Sequence, residues 1–207
     1  MDDHDLFRTG LRNLLDDQEV DVVGECGNGT DALQAVRELA PDVVVMDLNM
    51  PGISGVEATR QISMVAPLTR VLVLTISDQD GDVMDAILAG ACGYLLKDAS
   101  ITDLMQGIRS AAVGESLISP TIAAKVLQRV RATGGSRRDA ELIQSELSAR
   151  ELQVLKLIAN GQDNALIAAE LHISPKTVKN HISNILMKLQ IENRIQAAVY
   201  AVRSGLV

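Results

Sequence analysis

The sequence contains very few aromatic residues: no tryptophan, two tyrosines and one phenylalanine among 207 residues. A core built from aromatic side chains is therefore excluded. However, 47% of the residues are hydrophobic and only 22% are charged. A chain of this length and composition can bury a sizeable core of leucine, valine, isoleucine and alanine, in one large domain or two small ones.

Cysteines and long apolar runs are also scarce. The two cysteines, Cys26 and Cys92, form neither a disulfide framework nor the spacing of a metal site. Each lies in or beside a strand-like run, so we expect both to be small core residues. No apolar run is long enough to span a bilayer, and no basic-then-apolar leader opens the chain. The sequence therefore predicts a soluble, cytoplasmic protein with no membrane partner.

The net charge of −8 is unevenly distributed along the chain. Residues 1–144 carry 12 basic and 22 acidic side chains, whereas residues 145–207 carry 7 basic and 5 acidic ones. This division indicates two domains with different partners. The small basic excess of the second part would not by itself predict binding to nucleic acid.

The first part is organised around the stretch 43–52, which reads VVVMDLNMPG. Its apolar, mostly β-branched run is typical of a parallel strand that is buried on both faces. The run stops at Asp47, and Pro51 and Gly52 then predict a turn. An acid at the carboxyl end of such a strand lies where open α/β sheets keep their sites. Asp47 could instead only cap the following helix.

Strand-like and helical patterns alternate through this part of the chain. The predicted strands are 20–24, 43–46, 70–75 and 93–97, and the predicted helices are 5–15, 30–39, 55–65, 82–88 and 102–113. The alternation predicts an α/β fold with a doubly wound parallel sheet and right-handed crossovers.

Three of the predicted strands bring a polar side chain to the same edge of the sheet, namely Asp47, Thr75 and Lys97. Asp2 and Asp3 would reach this edge if a strand preceded them. Clustered carboxylates repel one another, and a hard divalent cation such as Mg²⁺ relieves that repulsion. A lysine and a hydroxyl opposite would hold a tetrahedral anion, so the group predicts phosphoryl transfer to Asp47. Taken singly, Lys97 could be a surface lysine and Thr75 an ordinary strand residue.

These residues resemble the receiver domain of two-component response regulators of the NarL/FixJ family. The motifs that carry the resemblance are Asp2-Asp3-His4, Asp47 with the following Met50-Pro51-Gly52, Thr75, and the stretch GYLLKD at 93–98. The resemblance implies a flavodoxin-like receiver over residues 1–115. It also implies that Asp47 accepts a phosphoryl group from a phosphohistidine on a sensor histidine kinase.

The resemblance further assigns roles to the residues around Asp47. Asp3 and Asp47 would supply carboxylates to Mg²⁺, the backbone carbonyl of Asn49 would be a further ligand, and Asp2 would assist. Thr75 and Tyr94 would form the switch pair, in which the hydroxyl moves onto the phosphoryl group and the aromatic ring turns inward.

In this family a buried strand runs directly into the acid pair, whereas this sequence has only Met1 before Asp2. We therefore expect the sequence to begin too late and the first receiver strand to be missing. The receiver should then be distorted, borrow a strand or dimerise. It should also bind Mg²⁺ poorly, because Asp2 and Asp3 would lie at a frayed terminus.

Residues 116–144 are predicted to connect the two domains. A helix is predicted over 119–130, with Pro120 in its first turn. The polar, glycine-rich stretch 131–139 is the best candidate for a flexible linker.

From residue 145 onward the pattern is helical. Ser148 and Glu151 form a capping box before the first apolar stripe, and a short helix is predicted over 164–171. Ser174 caps a third helix, and Pro175 occupies its first position. One face of this helix is polar and basic, which predicts a helix-turn-helix; a plain helical bundle with a solvated face is the alternative.

This part resembles the LuxR-type DNA-binding domain, through LSARE at 147–151, AAEL at 168–171, ISPKTVK at 173–179 and His181-Ile182. The resemblance implies that Lys179, Asn180 and Ser183 contact bases in the major groove, and that Lys176 and Thr177 meet phosphates.

A final helix is predicted over 194–203. In the family such a helix pairs two subunits, which would give a homodimer on a two-fold operator in double-stranded DNA. It could equally be only the lid on a small core.

The sequence thus predicts a DNA-binding transcription regulator, not an enzyme, that is activated by phosphorylation of Asp47. Two alternatives are weighed. The first is a regulator that ignores phosphate and works by dimerisation alone. The second is a Mg²⁺-dependent phosphatase with an aspartyl nucleophile, but such enzymes need a carboxylate two residues after the nucleophile, where this chain has Asn49.

Overall fold

The computed structural model describes residues 1–118, 122, 123, 125, 126 and 145–207. The chain divides into two compact units, Met1–Ile122 and Ala123–Val207. Of the helix predicted over 119–130, only residues 122, 123, 125 and 126 are described, and they are helical. The predicted flexible linker at 131–139 lies outside the described residues.

The first unit contains a parallel sheet whose strands follow the order β1-β2-β3-β4. The strands are β1 (Val43–Met46), β2 (Arg70–Thr75), β3 (Gly93–Leu96) and β4 (Leu117–Ile118). The helices are α1 (Asp5–Asp16), α2 (Gly29–Leu39), α3 (Gly55–Val65), α4 (Asp80–Leu88) and α5 (Ile101–Ala112). The predicted α/β fold is confirmed. The sequence analysis missed β4, whose two residues are too few to show a pattern.

The helices cover both faces of the sheet because each has one apolar stripe. Buried residues of α2 and α3, among them Val36 and Ile62, pack with Val44 and Met46 of β1 on one face. Leu104 of α5 and Leu15 of α1 pack with leucines of β2 and β3 on the other. Three helix starts are capped by side chains, those of Asn28, Ser54 and Ser100, each of which accepts a bond from a backbone N–H three residues later.

The predicted strand at 20–24 is wrong. A strand forms only where its backbone groups pair with a neighbour, and a cavity of about 550 Å³ separates residues 20–25 from β1. The wall on the β1 side is formed by Val43, Val44 and Val45. The valines of the 20–24 stretch have a strand-like sequence, but no strand lies beside them in the described sheet.

Met1 lines this cavity, and the backbone of residues 1 and 2 is bonded to β1 on one side and to Cys26 on the other. The Met1 amino group donates to the Val45 carbonyl (2.9 Å), and the Met1 carbonyl accepts from the Asp47 N–H (2.9 Å). On the other side, the Asp2 N–H donates to the Cys26 carbonyl (3.0 Å). The expectation that Asp2 lies at a frayed terminus is therefore wrong, because these bonds tie residues 1 and 2 to the end of β1 and to Cys26.

The second unit contains four described helices beyond residue 148: α6 (Ala149–Ala159), α7 (Asn164–Leu171), α8 (Pro175–Leu189) and α9 (Arg194–Arg203). The predicted capping box is present, with the Ser148 side chain bonded to the Glu151 N–H and the Glu151 carboxylate to the Ser148 N–H. Glu151 also pairs with Lys188 of α8 at 2.8 Å, which ties the first helix to the third. In the described residues no helix has the length and apolar character needed to cross a membrane.

Candidate phosphoacceptor site and DNA-binding helix

Two buried carboxylates and a lysine meet at the carboxyl edge of the sheet. The Lys97 Nζ lies 2.7 Å from Asp47 Oδ2 and 2.7 Å from Asp2 Oδ2. Asp2 and Asp47 are only 3% and 2% exposed, so both charges are removed from water. The sequence brings them together because Asp47 directly follows β1 and Lys97 directly follows β3. The Lys97 N–H also donates to the Thr75 carbonyl at the end of β2 (2.9 Å).

The Lys97 ammonium is stabilised by this arrangement. Burial lowers the pKa of Lys97, but the hydrogen bonds to Asp2 and Asp47 outweigh burial and raise that pKa above its ordinary value. The Phe7 ring lies under the ammonium, with 4.5 Å between Nζ and the ring centroid. Sequence reasoning missed Phe7, although it is the chain's only phenylalanine and lies four residues after Asp3.

The backbone around Asp47 is held by close packing of the following loop. A Cβ on Gly55 would lie 1.9 Å from the Asp47 carbonyl oxygen, so only glycine fits there. Gly52 has φ +77, which completes the predicted turn. The Asn49 N–H donates to Asp47 Oδ1 at 3.4 Å, so Asn49 lies beside the carboxylate. The role of its backbone carbonyl as a metal ligand stays a prediction.

A metal ion could be held by a group of four side chains at this edge. One ligand atom from each of Asp2, Asp3, His4 and Asp47 lies within 4.8 Å of all the others. Carboxylate oxygens are the ligands that Mg²⁺ prefers, so the donor set fits this cation. Arg8, which sequence reasoning missed, fixes the group by donating from Nη1 to the Asp2 carbonyl (2.6 Å).

Thr75 and Tyr94, the predicted switch pair, are both fully buried at this edge. The Tyr94 hydroxyl donates to the Ser77 carbonyl (2.8 Å), and the Ser77 N–H donates to Thr75 Oγ1 (3.4 Å). Burial, with help from Asp82 and Asp78, raises the pKa of Tyr94, so the phenol stays protonated. Ser77 therefore connects the two predicted residues, a link that no sequence pattern indicates.

In the second unit, α8 has one buried and one exposed face. Val178 and Ile185 are fully buried. The exposed residues include four of the five predicted DNA contacts, which are Lys176, Lys179, Asn180 and Ser183. Thr177 is half-buried, and its hydroxyl shares a 2.8 Å hydrogen bond with that of Ser174 at the helix start.

Helix α9 uses its apolar stripe inside its own unit. Ile195, Val199 and Val202 are 5%, 4% and 9% exposed. The apolar side of the predicted pairing helix therefore acts as the lid on the small core. Pairing of subunits through the other side of 194–203 stays a prediction.

Two family models match the chain. Residues 1–109 match the response regulator receiver domain, and residues 145–201 match the bacterial regulatory proteins of the luxR family. The transcriptional regulatory protein LiaR of Bacillus subtilis (strain 168) is 43% identical over 208 residues, covering 100% of this chain and 97% of that protein. The response regulator protein VraR of Staphylococcus aureus (strain NCTC 8325 / PS 47) is 40% identical, covering 100% of this chain and 96% of that protein.

Solved structures agree with the family models. The response regulator ChrA of a heme-sensing two-component system has a TM-score of 0.53 and 36% identity, covering 100% of this chain and 96% of that chain. The response regulator RcsB, in a complex with DNA, has a TM-score of 0.56 and 27% identity, covering 98% of this chain and 95% of that chain. The chain therefore belongs to the two-component response regulators, in which a receiver domain is combined with a LuxR-type helix-turn-helix domain that regulates transcription.

Proposed function

We propose that this regulator is switched by a phosphoryl group that Asp47 accepts from a phosphohistidine on a sensor histidine kinase. The receiver would span residues 1–115, the linker 116–144 and the DNA-binding domain 145–207. The observation that carries the proposal is the Lys97 ammonium, which lies 2.7 Å from a carboxylate oxygen of Asp47 that is otherwise shielded from water. A preorganised cation beside a buried carboxylate is what phosphoryl transfer to that carboxylate requires.

The transfer proceeds by attack of an Asp47 carboxylate oxygen on phosphorus. A P–O bond forms, the P–N bond of the phosphohistidine breaks, and the imidazole leaves with the electron pair and takes up a proton. Lys97 then exchanges its bond with Asp47 for one with a phosphoryl oxygen, and the Thr75 hydroxyl approaches a second oxygen. This loosens the Ser77 segment, to which Tyr94 is bonded.

Bound Mg²⁺ would neutralise charge on the phosphoryl oxygens. Its protein ligands would be the Asp3 and Asp47 carboxylates and the Asn49 carbonyl, with Asp2 assisting. Asp2 also holds Lys97 at 2.7 Å, so the same carboxylate orients the cationic clamp.

In the second unit, Lys179, Asn180 and Ser183 on the exposed face of α8 would read base edges in the major groove. Lys176 and Thr177, at the start of the same helix, would contact phosphates and set its register. Two subunits would bind the two halves of a two-fold operator.

Labelling with a small phosphodonor tests the proposal. The full chain, incubated with Mg²⁺ and radiolabelled acetyl phosphate, should acquire one label that hydroxylamine removes, as an acyl phosphate requires. Asp47→Asn should abolish the label. The matched control is Asp42→Asn, an exposed acid at the other end of β1, which should label normally.

Other outcomes contradict the proposal in distinct ways. Undiminished labelling of Asp47→Asn would move the acceptor to another residue. No label on the unaltered chain would favour a regulator that works by dimerisation alone. Continuous release of phosphate from phosphoesters would favour a phosphatase.

A further inference from the structure

The Lys97 ammonium has an aromatic neighbour in addition to its two carboxylates. An ammonium has three N–H donors, and the oxygens of Asp2 and Asp47 each lie 2.7 Å from Nζ. Nζ also lies over the Phe7 ring, 4.5 Å from its centroid, which is within the range of a cation–π contact. The Lys97 side chain is only 12% exposed, so water weakens this contact little. The ammonium is therefore held by three partners, and two of them, Asp2 and Phe7, are not the proposed acceptor.

The Phe7 ring is itself held in place by the receiver. It packs against the core cluster that includes Leu72 of β2 and Leu95 of β3. The next residue, Arg8, donates to the Asp2 carbonyl at 2.6 Å and pairs with Glu25 at 3.5 Å. These bonds fix the first turn of α1 to the chain segments beside it. A ring held in this way stays in place when the ammonium moves.

A ring suits this position because it attracts a cation without carrying a net charge. Carboxylates of Asp2, Asp3 and Asp47 already lie together at this edge of the sheet, and one more would repel the incoming phosphoryl group. An aromatic ring has a negative face and a positive edge, so it stabilises the ammonium and leaves the charge of the site unchanged. When Lys97 exchanges its bond with Asp47 for one with a phosphoryl oxygen, its contacts with Asp2 and Phe7 are kept.

We infer that Phe7 is a positioning residue for phosphoryl transfer, whose ring holds the Lys97 ammonium beside the acceptor before the phosphoryl group arrives. The inference rests on the proposed function, since it needs Asp47 to be the acceptor. The physical reason is preorganisation, because a cation that is already oriented does not have to be reordered in the transition state. Loss of the contact therefore slows the transfer, although the acceptor, the lysine and the proposed metal ligands all remain.

Stepwise fluorination of the ring tests the inference. Phe7 is the chain's one phenylalanine, so biosynthetic replacement of phenylalanine by its mono-, di- and trifluorinated forms changes this ring alone. Each fluorine withdraws electron density from the ring face and leaves the size of the ring almost unchanged. The rate at which acetyl phosphate labels Asp47 in Mg²⁺ should fall with each fluorine. For the trifluorinated ring it should be about two- to fivefold below the rate of the ordinary chain.

The melting temperature separates a cation–π contact from ordinary packing. Packing alone predicts an unchanged or higher melting temperature, because fluorination makes the ring more apolar. The cation–π contact predicts a stepwise fall. This fall should be absent in Lys97→Met, where no ammonium lies over the ring, with Mg²⁺ present to compensate the charge of the carboxylates. If Lys97→Met does not fold, the direction of the change in the unaltered chain decides alone.

Two results would overturn the inference. A melting temperature that does not fall with fluorination, or that falls equally in Lys97→Met, would show that the ring does not bind the ammonium. A stepwise fall in melting temperature with unchanged labelling rates would make Phe7 a stabilising residue without a positioning role. The proposed function fails separately, if the chain with ordinary phenylalanine acquires no label. The reaction that the ring serves would then be absent, and the melting temperatures would still show whether the ring holds Lys97.

Discussion

At the scale of single residues, Lys97 has two roles that substitution separates. It neutralises Asp2 and Asp47, and it is the proposed clamp for the phosphoryl group. Lys97→Gln leaves two buried carboxylates without their cation, and breaking such a pair costs about 3–5 kcal/mol. The variant should melt well below the unaltered chain and label slowly with acetyl phosphate.

Mg²⁺ should restore much of the lost stability, because a dication replaces the missing positive charge and binds only the folded state. The rise in melting temperature on adding Mg²⁺ should thus be larger for Lys97→Gln than for the unaltered chain. An equal rise in both proteins would mean that Lys97 and the cation do not share these carboxylates.

The raised pKa values of Lys97 and Tyr94 predict a loss of stability at alkaline pH. Each group holds its proton more tightly in the folded state than in the unfolded state. Its contribution to the free energy of unfolding is therefore complete below its pKa in the unfolded state, and is lost as the pH rises towards its pKa in the folded state. The free energy of unfolding of the receiver should therefore fall above about pH 10, where free tyrosine and lysine begin to ionise.

Tyr94→Phe should weaken this pH dependence, because it removes one of the two groups. Urea titrations between pH 8 and 11 measure how the free energy of unfolding changes with pH. Tyr200→Phe in the second unit is the control. A Tyr94→Phe variant with an unchanged slope would show that the buried phenol does not contribute.

At the scale of the elements, the cavity beside β1 exposes backbone groups with which an additional strand can form hydrogen bonds. In a parallel strand, the backbone N–H and C=O groups of successive residues point to opposite sides of the strand. The Asp42 carbonyl accepts from the Arg70 N–H of β2, so the backbone groups of Val43 and Val45 point away from β2 and into the cavity. The Met1 amino group already donates to Val45 there, and burial lowers its pKa. A buried polar group left without a partner costs about 1–3 kcal/mol.

Fusing five β-branched residues directly ahead of Met1 should therefore stabilise the receiver. The added strand would pair with β1 and with residues 20–25, and it would replace the buried ammonium by a neutral amide. The melting temperature should rise by about 4 °C or more, and Asp47 should label faster. A glycine- and serine-rich extension of equal length is the control, and equal melting temperatures for the two fusions would mean that the cavity does not accept a strand.

Helix α8 carries a second prediction at this scale. Lys179→Ala should weaken the free energy of binding to a cognate site by about 1–3 kcal/mol and relax sequence specificity at one base position, as expected for a base contact. Lys176→Ala should weaken binding to cognate and random duplexes by the same factor. Anisotropy titrations with both duplexes compare the variants, and an equal loss on both for Lys179→Ala would make that residue a phosphate contact.

The elements also show how far sequence alone predicts this molecule. The carboxyl ends of parallel strands meet at one edge, so spacing was enough to place Asp47, Thr75 and Lys97 together. Phe7 and Arg8 were missed because their contacts come from α1 folding back over the edge, which no local pattern encodes. The prediction of a strand at 20–24 failed for a related reason, because a strand depends on a neighbouring strand to pair with as well as on its own residues.

At the scale of the whole molecule, the central claim is that phosphorylation of Asp47 controls DNA binding by residues 145–207. Coupling between two sites in one protein is ordinarily worth about 1–3 kcal/mol, or roughly 5- to 150-fold in affinity. The claim thus predicts a change large enough to measure directly by titration.

The most direct measurement is the affinity of the full chain for a labelled duplex, selected from a random pool by the same protein, with and without acetyl phosphate in Mg²⁺. The unaltered chain and Asp42→Asn should bind about 5- to 150-fold more tightly after phosphorylation. Asp47→Asn should show the same affinity under both conditions. Equal affinities with and without phosphodonor for the unaltered chain, or a response that survives in Asp47→Asn, would contradict the account.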